Sequence, residues 1–175
     1  PVVSSASPLA TNVDSVKELE DNGVAAVVMH SLFEEQITRE SEAVDMFLMQ
    51  GADSFSEALS YFPHQDEFYN KDAEEYLELV KKLKSSVNVP IIGSLNGVSA
   101  GGWMDYAKKI EEAGADALEL NIYYIPTDPS KSAADVERMY IEDLTTVKSH
   151  LKIPVAVKLS PYFSAFANMA KQLDD

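Results

Sequence analysis

Cysteine is missing from all 175 residues. Its absence excludes disulfides, thiolate metal sites and a cysteine nucleophile. Basic residues are scarce: 14 Lys and Arg stand against 29 Asp and Glu, a net charge of −15. Nucleic acid and an anionic membrane surface would both be repelled, so neither is expected as a partner. No apolar run reaches the ~18 residues of a membrane-spanning helix. The N-terminus shows neither the basic nor the apolar region of a signal peptide, and a cytoplasmic location is expected. The three histidines, His30, His64 and His150, lie far apart with no H-x-x-x-H or H-x-H spacing. No metal site is expected from them, and His64 and His150 read as surface residues.

What is present is an ordinary globular composition, 46% apolar and 25% charged, long enough for one domain with a substantial core. Apolar β-rich runs alternate with helical patterns. "PVVSSA", "VAAVVMHSLF", "VPIIGSLN", "ADALELNIY" and "IPVAVKLS" read as strands. "NVDSVKELEDNG" reads as a helix capped by Asn12 or Asp14 and stopped by Gly23, and "AGGWMDYAKKIEEAG" as one stopped by Gly114. "KDAEEYLELVKKLKSSV" and "AADVERMYIEDLTTVKSHL" are further helices, and another starts near Ser164. The polar stretch from Glu34 to Asn70 is expected to hold two more, around Ser41–Met49 and Ser54–Leu59. Five strand–helix repeats with near-continuous apolar strands predict a parallel sheet covered by helices. An open doubly wound sheet and a (β/α)₈ barrel both fit. No G-x-G-x-x-G follows the first strand, and "GVSAGG" (Gly97 to Gly102) reads as a plain βα turn.

Strand parity points to a site. Leu118, Leu120 and Ile122 share one face of their strand, whereas Ala117, Glu119 and Asn121 share the other. In the next strand Val155, Val157 and Leu159 lie opposite Ala156, Lys158 and Ser160. Ser94 and Asn96 alternate with Gly93 and Leu95, and His30 follows Val28. Polar residues towards the C-terminal strand ends suit the mouth of a barrel, where Glu119 and Lys158 are expected to pair across neighbouring strands.

At "PVVSSASPLATN", "AAVVMHSLF", "GADALELN" and "VAVKLSPYF" the chain resembles the dihydroorotate dehydrogenase family of FMN-dependent (β/α)₈ barrels, over essentially its whole length. The resemblance implies FMN as cofactor, a small-molecule substrate and a possible homodimer. It places Asn121 and Lys158 against the flavin, with Lys158 stabilising negative charge on the reduced ring. It also places Ser5, Ala6 and Ser7 of the first loop, and Ser31 of the second strand, in contact with the cofactor. Departures bear on activity. His30 stands where the family has a lysine, and "NIYYIP" replaces the segment that supplies the catalytic base, so that position falls on Tyr124. A phenol with an ordinary pKa of ~10 is a poor base at neutral pH. Tyr124 reads better as the wall of an aromatic pocket, with Tyr61, Phe62 and Tyr123 as neighbours.

The catalytic candidates are therefore Lys158, Tyr124 and His30, acting on a small cyclic or unsaturated substrate other than dihydroorotate. Structural alternatives stay open: a Glu119-paired lysine, an asparagine serving backbone groups, a core histidine, and turn-forming Ser5 and Ser7. A silent barrel kept for binding, or a flavin-free aldolase with a Schiff base on Lys158, are the other function classes. Five units against the eight of a full barrel make the chain, residues 1–175, one partial-barrel domain and a piece of a longer protein on this reading.

Overall fold

A computed structural model of the chain describes residues 1–33, 71–97, 102–122 and 124–175. Five strands form one parallel sheet: β1 (Val3–Ser4), β2 (Ala26–Phe33), β3 (Ile91–Asn96), β4 (Ala117–Asn121) and β5 (Val155–Lys158). The helices are α1 (Val13–Asp21), α2 (Lys71–Ser86), α3 (Gly102–Glu112), α4 (Ala133–His150) and α5 (Phe166–Asp174). The strands lie in chain order, β1 to β5. A doubly wound sheet would reverse direction at a switch point, whereas a barrel adds each strand beside the last. The curled sheet is thus a partial (β/α)₈ barrel. The helices expected around Ser41–Met49 and Ser54–Leu59 lie outside the described residues, as does most of "GVSAGG". Among the described residues, no helix is long and apolar enough to cross a membrane.

Local chemistry sets the helix ends. The Asn12 side chain accepts from the Ser15 N–H at 2.9 Å and caps α1. Ser132 and Asp135 form a reciprocal capping box on α4. Gly23 (φ 85°) and Gly114 (φ 96°) take the left-handed conformation just past α1 and α3, where any side chain would strain the backbone.

The helices pack on the face that carries Ile91, Leu95, Leu118 and Leu120, each no more than 4% exposed. Gly93 lies on this face too, against Ile110 of α3. At the N-terminal ends of the strands, backbone N–H groups find carboxylates. Asp116 accepts from the Ile91 N–H at 2.7 Å while pairing with Lys84. Glu111 accepts from the N–H groups of Lys152 and Ile153, at 2.7 and 3.1 Å. These bonds satisfy backbone donors at the N-terminal end of the sheet.

Candidate active site

The sheet register brings polar side chains together on the inner face. Ser31 pairs with Ser94, Ser94 with Glu119, Glu119 with Ala156, and Asn121 with Lys158. Parallel pairing keeps residues of one parity on one face, so four neighbouring strands present a line of polar groups. From Ser31 to Glu119 that line is hydrogen-bonded. The hydroxyls of Ser31 and Ser94 lie 2.9 Å apart. Ser94 Oγ donates to Glu119 Oε1 at 3.1 Å, which leaves Ser31 as donor to Ser94. Lys158 Nζ stands 3.5 Å from the same Glu119 oxygen.

Burial explains why the line is needed. The Glu119 side chain is 16% exposed, and a carboxylate so enclosed requires partners. Lys158, 45% exposed, keeps its ammonium close to water. A half-solvated pair of this kind contributes on the order of 1 kcal/mol net. Its main effect is to fix where the cation stands. Asn121 is 8% exposed, and its Oδ1 is buried without a hydrogen-bond partner. A buried acceptor left unpaired costs about 1–3 kcal/mol, so it marks a place where a donor is wanted.

Strand β2 departs from simple alternation. Val28 pairs with Ile92 and Ser31 with Ser94, so the register slips by one residue at Met29 and His30. Parity alone set His30 on the inner face with Val28; the bulge gives that place to Ser31. The His30 ring lies edge-on to Tyr76 of α2, centroids 5.0 Å apart, on the helix side of the sheet. Burial lowers its pKa, opposed by a hydrogen bond to the Ala10 backbone, and its Nδ1 has no partner. No signal in the sequence marks the bulge.

Tyr124 also stands apart from the line. It borders a cavity of about 430 Å³ shared with Tyr140, Phe163 and Ser160, whose lining includes neither Lys158 nor Asn121. Its hydroxyl accepts from Lys131 Nζ at 3.2 Å, and the same ammonium lies 5.4 Å from the ring centroid. Tyr140 and Phe163 are aromatic walls of this cavity beside Tyr124. The neighbours expected from sequence, Tyr61, Phe62 and Tyr123, lie outside the described residues. Ser5, Ala6 and Ser7 follow β1 at the same end of the sheet as Lys158. Ser5 is exposed, and Ser7 caps the short 3₁₀ turn Pro8–Ala10 by accepting from the Leu9 N–H. Ser94 was not singled out as a site residue from sequence; its place emerges from register. The segment after β3 also has G-x-S-x-G spacing at Gly97 to Gly101. Its serine, Ser99, lies outside the described residues and carries no assignment.

No family model matches the chain. Its sequence is similar to dihydroorotate dehydrogenase B (NAD(+)), catalytic subunit, from Thermoplasma acidophilum: 27% identical over 172 residues, 98% of this chain and 54% of that protein. The corresponding protein of Methanocaldococcus jannaschii is 32% identical over 114 residues, 61% of this chain and 36% of its own. Among solved structures, dihydrodipicolinate synthase from Aquifex aeolicus matches with a TM-score of 0.57 at 13% identity, over 99% of this chain and 50% of that one. A prophage protein of the dihydrodipicolinic acid synthase family from E. coli K12, in complex with pyruvate, matches with a TM-score of 0.56 at 16% identity, over 99% and 50%. At such identities the structural likeness speaks for the fold alone. The chain spans about half the length of the relatives it matches end to end, 54% in the first case. It is a partial (β/α)₈ barrel similar in sequence to dihydroorotate dehydrogenases.

Proposed function

We propose that the parent protein is an FMN-dependent oxidoreductase of dihydroorotate dehydrogenase-like type. The observation that carries this reading is the pairing of Asn121 with Lys158 across β4 and β5. One is a buried acceptor without a donor and the other a cation held in place by Glu119. An acceptor beside a cation matches the edge of a flavin's pyrimidine ring, which offers an N–H donor next to electron-rich nitrogen and oxygen. The residues thus fit the group that the sequence resemblance implies.

In this role Asn121 Oδ1 accepts from the ring, and Lys158 supplies a fixed positive charge beside it. Ser31 and Ser94 act through Glu119, and Ser5 and Ala6 border the same end of the sheet. When bound, FMN supplies reversible transfer of a hydride equivalent. Lys158 then favours negative charge in its neighbourhood. Schiff-base chemistry asks instead for an amine free to attack a carbonyl carbon, whereas here the amine is engaged by the Glu119 carboxylate. The substrate is a small cyclic or unsaturated molecule, and the replacement of the family's base segment by "NIYYIP" argues against dihydroorotate itself.

The test is the visible absorption spectrum of the full-length protein, with the released chromophore identified by chromatography. Bound FMN, or FMN taken up on addition, is the expected result. A colourless protein that takes up no FMN, yet is trapped at Lys158 by borohydride with a carbonyl ligand, would replace this reading with the aldolase one.

A further inference from the structure

We infer that Glu119 is the positioning residue for Lys158, held in turn by the Ser31–Ser94 hydroxyl pair. This rests on the function proposed above for Lys158. A lysine on a flexible four-carbon stem does not by itself define one location for its charge. Glu119 does define one. Its Oε1 receives both the Ser94 hydroxyl at 3.1 Å and the Lys158 ammonium at 3.5 Å. The hydroxyl bonds run one way, Ser31 to Ser94 to Glu119, so each group has its donor or acceptor role set by the next. Ser94 is fully buried, which fixes the anchor.

The groups that face the pair are few among the described residues. Asn121 on β4, Ser94 on β3 and Ser31 on β2 are neutral. The Tyr76 phenol, reaching in from α2, has its pKa raised by burial and, in smaller part, by the charge of Glu119. Glu119 is the carboxylate that the geometry pairs with Lys158. Its removal would free the ammonium to swing into solvent.

The experiment uses the full-length protein after reductive ¹³C-methylation, with the Lys158 resonance assigned by its loss in Lys158→Arg. In Glu119→Gln the Lys158 resonance is expected to sharpen and to move to the position of a freely solvated lysine, because nothing then holds the ammonium in place. Glu119→Asp should restore part of the wild-type line width and position. An unchanged resonance in Glu119→Gln would overturn the inference. Should Glu119→Gln fail to fold, the wild type supplies the test. Its Lys158 resonance must be broader than those of the exposed lysines and displaced from them, and a resonance indistinguishable from theirs would overturn the inference. FMN affinity, read by fluorescence, should fall about tenfold in Glu119→Gln. A protein that binds no FMN but shows the change in the Lys158 resonance defeats the flavin reading and leaves Glu119 as the anchor of Lys158. Equal FMN affinity with an unchanged resonance defeats the anchor and leaves the flavin reading.

Discussion

The hydroxyl of Tyr76 satisfies both backbone groups of Ser94. It accepts the Ser94 N–H at 2.9 Å and donates to the Ser94 C=O at 3.4 Å. These groups lie where the β2–β3 register slips, and a helix side chain takes over from the missing strand partner. The phenol is buried among apolar atoms, and its pKa rises well above the ordinary 10.0.

Tyr76→Phe keeps the ring and strands the Ser94 amide. A loss of about 1–3 kcal/mol in unfolding free energy is expected, read from urea denaturation at pH 7. The sign of the pH dependence follows from the raised pKa. The folded protein holds the phenolic proton that the unfolded chain gives up above pH 10, so stability falls as pH rises beyond that value. The variant should lack this alkaline decline. Equal alkaline slopes in both proteins would show that Tyr76 is not the group responsible.

On the proposed function, Asn121 gives up stability to hold a ligand. Its Oδ1 is buried and unpartnered, so Asn121→Leu removes an unsatisfied acceptor and substitutes an apolar group of similar size. The unfolding midpoint without ligand is expected to stay level or rise. FMN affinity is expected to fall about tenfold, the worth of roughly one hydrogen bond in a dry site. A large loss of stability with intact FMN binding would make Asn121 a structural residue.

Much of the fold was legible because it rests on local rules. The apolar parity of "ALELN" and "VAVK", the stops at Gly23 and Gly114, and the Glu119–Lys158 pair all follow from alternation and helix-end chemistry. The inner-face placement of the candidate residues was legible where parity held, at Glu119, Asn121 and Lys158. It failed at His30 because a bulge depends on how two distant strands and α2 meet, and one strand's sequence does not contain that. Ser94 was passed over for a related reason. A serine between Gly93 and Leu95 gains meaning only when register sets it between Ser31 and Glu119.

Gly93 tests the packing behind the site. A methyl group there would run into the side chain of Ile110 on α3. Both residues are buried, so the helix must shift or the strand must yield. Gly93→Ala should lower stability by about 1–3 kcal/mol. Combined with Ile110→Ala, which removes the Cγ2 that the new methyl would meet, the loss should be smaller than the sum of the two single losses, since the two changes share one contact. Strictly additive losses in the double variant, by chemical denaturation, would contradict the assigned contact.

His30 predicts the acid limb of stability. Burial lowers its folded pKa below 6.5, so the unfolded chain takes up a proton that the folded protein resists. Stability from this source is fully present above pH 6.5 and is lost as pH falls through the folded pKa, with a slope of at most about 1.4 kcal/mol per unit. His30→Gln removes the linkage. The free-energy difference between wild type and variant should therefore shrink or change sign in favour of the variant between pH 7.5 and pH 5.5. A difference that stays constant over that range would mean that His30 is protonated as readily in the folded protein as in the unfolded chain. The enclosure by Tyr76 and the strand bulge would then be looser than the 5.0 Å ring contact implies.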